Sequence, residues 1–176
     1  MTTEPIPDEV VRQTLLQAIL TTHNTDTRLF IDHTHERSIM FHVGRRLACE
    51  VDTWPGDWSV DLEYNRDRGA VKRGNTFSGE QAKRILPDLM IHHRGRQGPH
   101  HNLLVLEAKL AVSDPGRRED HEKLAGIVEK YNYRHAVYLE FGQLGAGPRW
   151  HWIAESGQLR ACLPTHTICA ARPCVS

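Results

Sequence analysis

Asp88, Glu107 and Lys109 are two carboxylates and an amine set in two apolar segments, a combination suited to cation binding and water activation. Residues 85–92 and 103–110 read as strands, and Gly95, Gly98 and Pro99 between them supply the breakers of a connection. Side chains alternate across a strand, so Glu107 and Lys109 share one face while Leu106, Ala108 and Leu110 share the other. The segment is otherwise apolar on both faces, the pattern of a strand covered on both sides. Pairing about a midpoint between Gln97 and Gly98 sets Asp88 opposite or diagonal to Glu107 on the same face. Two carboxylates this close raise each other's pKa unless a cation neutralises them, and a divalent metal with oxygen ligands answers that need. The competing reading is plainer: a strand-end ion pair of Glu107 with Lys109, and Asp88 capping a bend after Pro87.

Pro87-Asp88 followed by Glu107-Ala108-Lys109 resembles the PD-(D/E)xK nuclease superfamily, whose fold is restriction-endonuclease-like. The resemblance covers residues 32–141. It implies that Asp88 and Glu107 bind Mg²⁺ or Mn²⁺, with the Ala108 carbonyl as a further ligand. It also implies that Lys109 positions or activates the attacking water. The superfamily adds an acid on the helix before the sheet, and Glu36 is the candidate here. A helix is expected over 34–47, with Ile39, Met40, Val43 and Leu47 as its buried stripe and Glu36 on that stripe. Glu36 equally suits a first helical turn, where the dipole favours acids. Glu50 and Asp61 are its rivals.

The remaining elements follow from periodicity. A helix over 7–22 carries Val11, Leu15, Ala18 and Ile19 on one face, and 21–28 reads as a polar connector. Residues 58–64 alternate as a strand toward the sheet edge, with Val60 and Leu62 opposed to Asp61 and Glu63. Residues 79–84 suit one helical turn. Asp114-Pro115 opens a helix running to Tyr131, with Leu124, Ile127, Val128 and Tyr131 turned to the sheet. Residues 135–141 read as a buried strand, which the intervening helix makes parallel to 103–110. Residues 149–155 suit an edge strand, and a loosely structured extension is expected beyond Gly157. The expected class is α/β (α+β): a mixed central sheet of about four to five strands flanked by helices, in the order αβββαβ. One domain is expected over 1–176, with an N-terminal helical extension (1–31), a core (32–141), and an edge strand and C-terminal extension (142–176).

Composition limits the partners. The 176 residues carry no formal net charge, which argues against a protein that coats nucleic acid indiscriminately. Locally, residues 65–84 hold Arg66, Arg68, Lys72, Arg73, Lys83 and Arg84 against Asp67 and Glu80. That patch suits either phosphate contacts or a solvated loop. Lys123 suits a phosphate contact or an exposed ion pair. The N-terminus lacks the basic start and apolar core of a signal peptide, and no apolar run reaches membrane-spanning length. A cytoplasmic protein without membrane contact is therefore expected, and a homodimer is compatible with it. Cys49, Cys162, Cys169 and Cys174 lack zinc-ribbon spacing and are expected as free thiols.

Three functions remain in view. The leading expectation is a Mg²⁺- or Mn²⁺-dependent phosphodiesterase acting on nucleic acid, with DNA favoured. The second is a silent binding or scaffold module of the same fold. The third is a transition-metal binder using His92, His93, His100 and His101, which bracket the hairpin loop.

Overall fold

The computed structural model describes residues 5–32, 34–64, 66–67, 70–71, 86–110, 114–142, 147–155, 157–159 and 166–167. Its elements are, in chain order, α1 (Asp8–Thr25), α2 (Thr27–Ile31), α3 (Glu36–Val51), β1 (Ser59–Leu62), β2 (Arg66–Asp67), β3 (Ala70–Val71), β4 (Leu89–His92), β5 (Asn102–Lys109), α4 (Asp114–Tyr131), β6 (His135–Phe141), β7 (Pro148–Glu155), β8 (Gln158–Leu159) and β9 (His166–Thr167). The main sheet runs β1-β4-β5-β6-β7-β8, with β9 also pairing β7, while β2 and β3 pair separately. Among the described residues only the β5–β6 ladder is parallel, as a crossover through α4 requires. The sheet is thus mixed and flanked by helices, with the order α3-β1-β4-β5-α4-β6 at its centre.

Period-two alternation divides the core between the two sheet faces. Leu89, Ile91, Leu104, Leu106, Ala108, Val137 and Leu139 pack with Val11, Leu15 and Ile19 of α1 and Ile39, Val43 and Leu47 of α3. Met90, Val105, Ala136 and Tyr138 pack with Leu124, Ile127, Val128 and Tyr131 of α4. The stripes expected on these helices are the ones buried. Each fully buried leucine is worth about 1.5–3 kcal/mol. Leu103, Leu104 and Leu106 therefore hold β5, the strand bearing Glu107, firmly in the sheet centre. Gly44 permits α3 to approach β1 closely, because a Cβ there would lie 3.1 Å from Leu62 Cδ2.

Several boundaries differ from the sequence reading. The first carboxylate precedes its strand: β4 starts at Leu89, Asp88 occupies a bend, and Leu86 is exposed. The connector expected over 21–28 is helical on both sides of Asp26. There Thr22 Oγ1 and Thr25 Oγ1 bond back to carbonyls one turn earlier, satisfying hydroxyls that would otherwise favour a turn. β7 is not an edge, since β8 and β9 both pair its outer side, and the chain beyond Gly157 thus contributes short strands. The sequence has too few residues in either strand for a period to show. The helical turn expected over 79–84 lies outside the described residues.

Candidate active site

The β4–β5 hairpin pairs Leu89 with Leu106, Met90 with Val105 and Ile91 with Leu104, the register expected from a midpoint between Gln97 and Gly98. Asp88 continues that register by its side chain rather than its backbone. The Ala108 N–H donates to Asp88 Oδ2 at 2.7 Å, and the Asp88 carbonyl accepts from the Glu63 N–H at 3.4 Å. Asp88 is thereby anchored between the end of β1 and the end of β5.

Glu107 is almost fully enclosed, with its side chain 4 % exposed. Its two oxygens differ sharply. Oε1 pairs with Lys123 Nζ from α4 and lies 3.7 Å from Lys109 Nζ. Oε2 is buried without a hydrogen-bond partner among the described residues. Burial, reinforced by the neighbouring Asp88 charge, pushes the Glu107 carboxyl up to about 7 despite both ammoniums. Burial raises Asp88 as well, against the Ala108 N–H and the charges of Lys109 and Lys123.

Lys109 reaches the start of α3, where its Nζ donates to Glu36 Oε1 at 3.4 Å. Burial works against its ammonium, but Glu36, Glu107 and Asp88 outweigh that and hold its pKa above the ordinary lysine value. Glu36 is raised by burial, opposed chiefly by Lys109 and then by the Leu110 backbone. Of the rival acids, Glu50 is exposed near the far end of α3. Asp61 is committed elsewhere: Arg94 grips both its oxygens, at 2.7 and 2.5 Å, and His92 Nε2 lies 2.8 Å away. Glu36 is therefore the acid that the fold brings to the motif.

Three carboxylates and two ammoniums converge at the ends of β5 and α3. Burial is the first cause of the raised pKa values of Asp88 and Glu107, and the neighbouring Asp88 charge adds to it at Glu107. Among the described residues no three His, Cys, Asp or Glu side chains draw close enough to hold a metal by themselves. The donor set still fits Mg²⁺, which commonly rests on one or two carboxylates and fills its other positions with water and substrate phosphate.

Other expected site residues are placed less completely. Arg66 lies in β2, while Arg68, Lys72 and Arg73 fall outside the described residues. Cys49 is an exposed free thiol, and Cys162, Cys169 and Cys174 also lie outside the described residues. Lys123 pairs with a buried carboxylate, Glu107, rather than in an exposed ion pair. Spacing gave no warning of this, since the two residues lie on different elements.

Tyr138 has no signal in the sequence beyond its place in an apolar strand. It faces Glu107 across the β5–β6 ladder and is fully buried. The His121 ring meets it edge-on at 4.7 Å. Elsewhere, an apolar groove of about 250 Å³ between α1 and β7 is lined by Leu15, Leu16, Ile19, Trp150 and Trp152, with Arg12 over Trp152. It is apart from the carboxylates, and an apolar lining has nothing to offer a phosphate.

Comparison with models of known families, with curated proteins and with solved structures finds no match to this chain. No described helix is long and apolar enough to cross a membrane.

Proposed function

We propose that this chain is a metal-dependent nuclease of the PD-(D/E)xK type that hydrolyses phosphodiester bonds, with DNA the favoured substrate. The observation carrying this reading is the anchoring of Asp88 to Ala108 beside the half-satisfied Glu107, with Lys109 and Glu36 at the same strand end. Asp88 and Glu107 would hold Mg²⁺ or Mn²⁺, with the Ala108 carbonyl as the further ligand that the family resemblance implies. Glu36 would complete the set directly or through water. The chemistry such an ion supplies when bound is acidification of the attacking water and neutralisation of charge on the phosphate.

The protein's own groups have separable tasks. Asp88, fixed by the Ala108 N–H, keeps its position without reorganising as substrate arrives. Lys109 stays protonated between Glu36 and Glu107, so its role is to orient the nucleophile and to stabilise negative charge building on the phosphate. Without metal, three surrounding carboxylates oppose the loss of the Lys109 proton that a base role would require. Lys123 balances Glu107 while no cation is bound.

Single-turnover cleavage of plasmid and of short single- and double-stranded DNA, with Mg²⁺ and with Mn²⁺, tests the reading. Wild type should cleave. Lys109→Ala should lose roughly a hundredfold or more in rate, the scale of a positioned acid–base or electrostatic group, while keeping or gaining metal affinity. Equal cleavage by both proteins would place the chemistry elsewhere.

The Lys123–Glu107 pair favours a second reading, a silent scaffold of the same fold. An internal ammonium already occupies one carboxylate oxygen, so the fold has a way to stand without metal. Absence of cleavage with any metal and every DNA, in a folded protein, would favour this alternative.

A further inference from the structure

Four histidines bracket the hairpin loop, and the fold sorts them. His92 is buried against Asp61, and His100 is exposed. His93 and His101 instead face one another with Nδ1 atoms 3.1 Å apart. We infer that His93 and His101 form a two-imidazole site for a nitrogen-preferring divalent transition-metal ion, separate from the carboxylate cluster.

The separation of the two donors carries the argument. A metal about 2.0–2.1 Å from each nitrogen, the usual imidazole bond length, would subtend an N–metal–N angle of roughly 95–100° at this spacing. That lies between the octahedral and tetrahedral values, so the spacing suits either geometry once the rings turn their lone pairs toward a common point. A single N–H···N hydrogen bond also accounts for 3.1 Å and is the arrangement the metal would replace.

Both donors are preorganised by features independent of any ion. The His93 N–H donates to the His101 carbonyl at 2.8 Å, fixing the two residues across the hairpin mouth. Gly95 and Gly98 adopt positive φ (76° and 91°), which lets the short loop return the chain to His101. The His93 ring stacks on Trp58 with centroids 3.8 Å apart. Gly56, at φ 104°, carries the chain past that stack in a conformation that favours glycine.

Among the described residues no third His, Cys, Asp or Glu completes the set, so water fills the remaining positions. Two neutral imidazoles with water select Cu²⁺, Ni²⁺ and Zn²⁺ over Mg²⁺, and Cu²⁺ binds tightest in that series. The site lies at the other end of β4 from Asp88, five residues or about 16 Å along a strand. Bound metal would staple the loop that joins the two motif strands.

Trp58 makes the site readable, because Cu²⁺ on its stacked neighbour should quench indole emission. The experiment titrates the metal-free full chain with Cu²⁺ in a non-chelating buffer and follows tryptophan fluorescence, with Mg²⁺ as control. Saturable quenching at one equivalent is expected, and none with Mg²⁺. His101→Ala and His93→Phe, the latter keeping a ring on Trp58, should each weaken binding by more than the roughly 10–100-fold that loss of an outer partner costs. His100→Ala and Asp88→Ala should bind as wild type does. Circular dichroism and melting without metal establish that each variant is folded. Undiminished quenching in both His93→Phe and His101→Ala would overturn the inference, assigning copper to others of the chain's twelve histidines. Absence of saturable quenching in wild type would overturn it equally, leaving the imidazole hydrogen bond alone.

Discussion

Asp88 Oδ2 accepts a 2.7 Å hydrogen bond from the backbone N–H of Ala108, the residue between Glu107 and Lys109. Because β4 begins only at Leu89, this bond extends the hairpin by one residue through a side chain. It ties the position of one carboxylate to the strand carrying the other.

Removing that carboxylate should abolish the response to metal. An ion bound only by the folded state raises stability by mass action. Wild type should therefore melt higher in Mg²⁺ or Mn²⁺, and Asp88→Ala should show no shift. Thermal unfolding with and without each metal checks this. A Mg²⁺ shift that persists in Asp88→Ala but disappears when His92 and His93 are replaced would move the site to the histidines.

Lys123 should compete with the divalent ion, since both answer the same charge on Glu107. Lys123→Met should melt below wild type without metal, because it leaves a buried carboxylate unpaired. With Mg²⁺ the gap should narrow, and the variant should show the larger metal-dependent shift. An equal or smaller shift would mean that Lys123 does not stand in for the cation.

The basic stretch should govern binding rather than chemistry. Changing Arg66, Arg68, Lys72 and Arg73 to Glu should weaken DNA affinity and flatten its dependence on salt, because fewer counterions are released. Fluorescence anisotropy over a salt series measures both quantities. Unchanged affinity and slope would make the stretch a solvated loop.

His135 should make stability fall as the solution is acidified. Burial holds its pKa down at about 4, although Asp8 Oδ1 lies 3.2 Å from Nε2 without the alignment of a hydrogen bond. Below its ordinary pKa of about 6.5 the unfolded chain takes up a proton that the folded chain refuses. This contribution is complete above about pH 6.5 and is lost between there and pH 4, at most ~3 kcal/mol in all. Urea unfolding at a series of pH values should show a shallower acid loss for His135→Gln than for wild type. Parallel profiles would remove His135 from the account.

The hairpin was legible in the residues alone because its determinants are local. Gly95, Gly98 and Pro99 mark the loop, and strict alternation puts Glu107 on one face whatever packs above it. The apolar stripes of α1, α3 and α4 were legible for the same reason, since a helical period is written in neighbouring residues. Choice of partner is not local. Glu36 was one of three rival acids until the start of α3 came to rest against Lys109, while Arg94 and His92 claimed Asp61. Lys123 reads as a solvent-facing cation on its own helix, yet the packing of α4 over β5 delivers it to a buried carboxylate. His92, His93, His100 and His101 are equivalent as letters. The turn of the β4–β5 hairpin points His92 at Asp61 and brings only His93 and His101 ring to ring. Periodicity along the chain thus determined which face each group occupies. Distances between groups far apart in sequence arose only when the layers packed, because charge pairing and metal geometry depend on those distances and not on order along the chain.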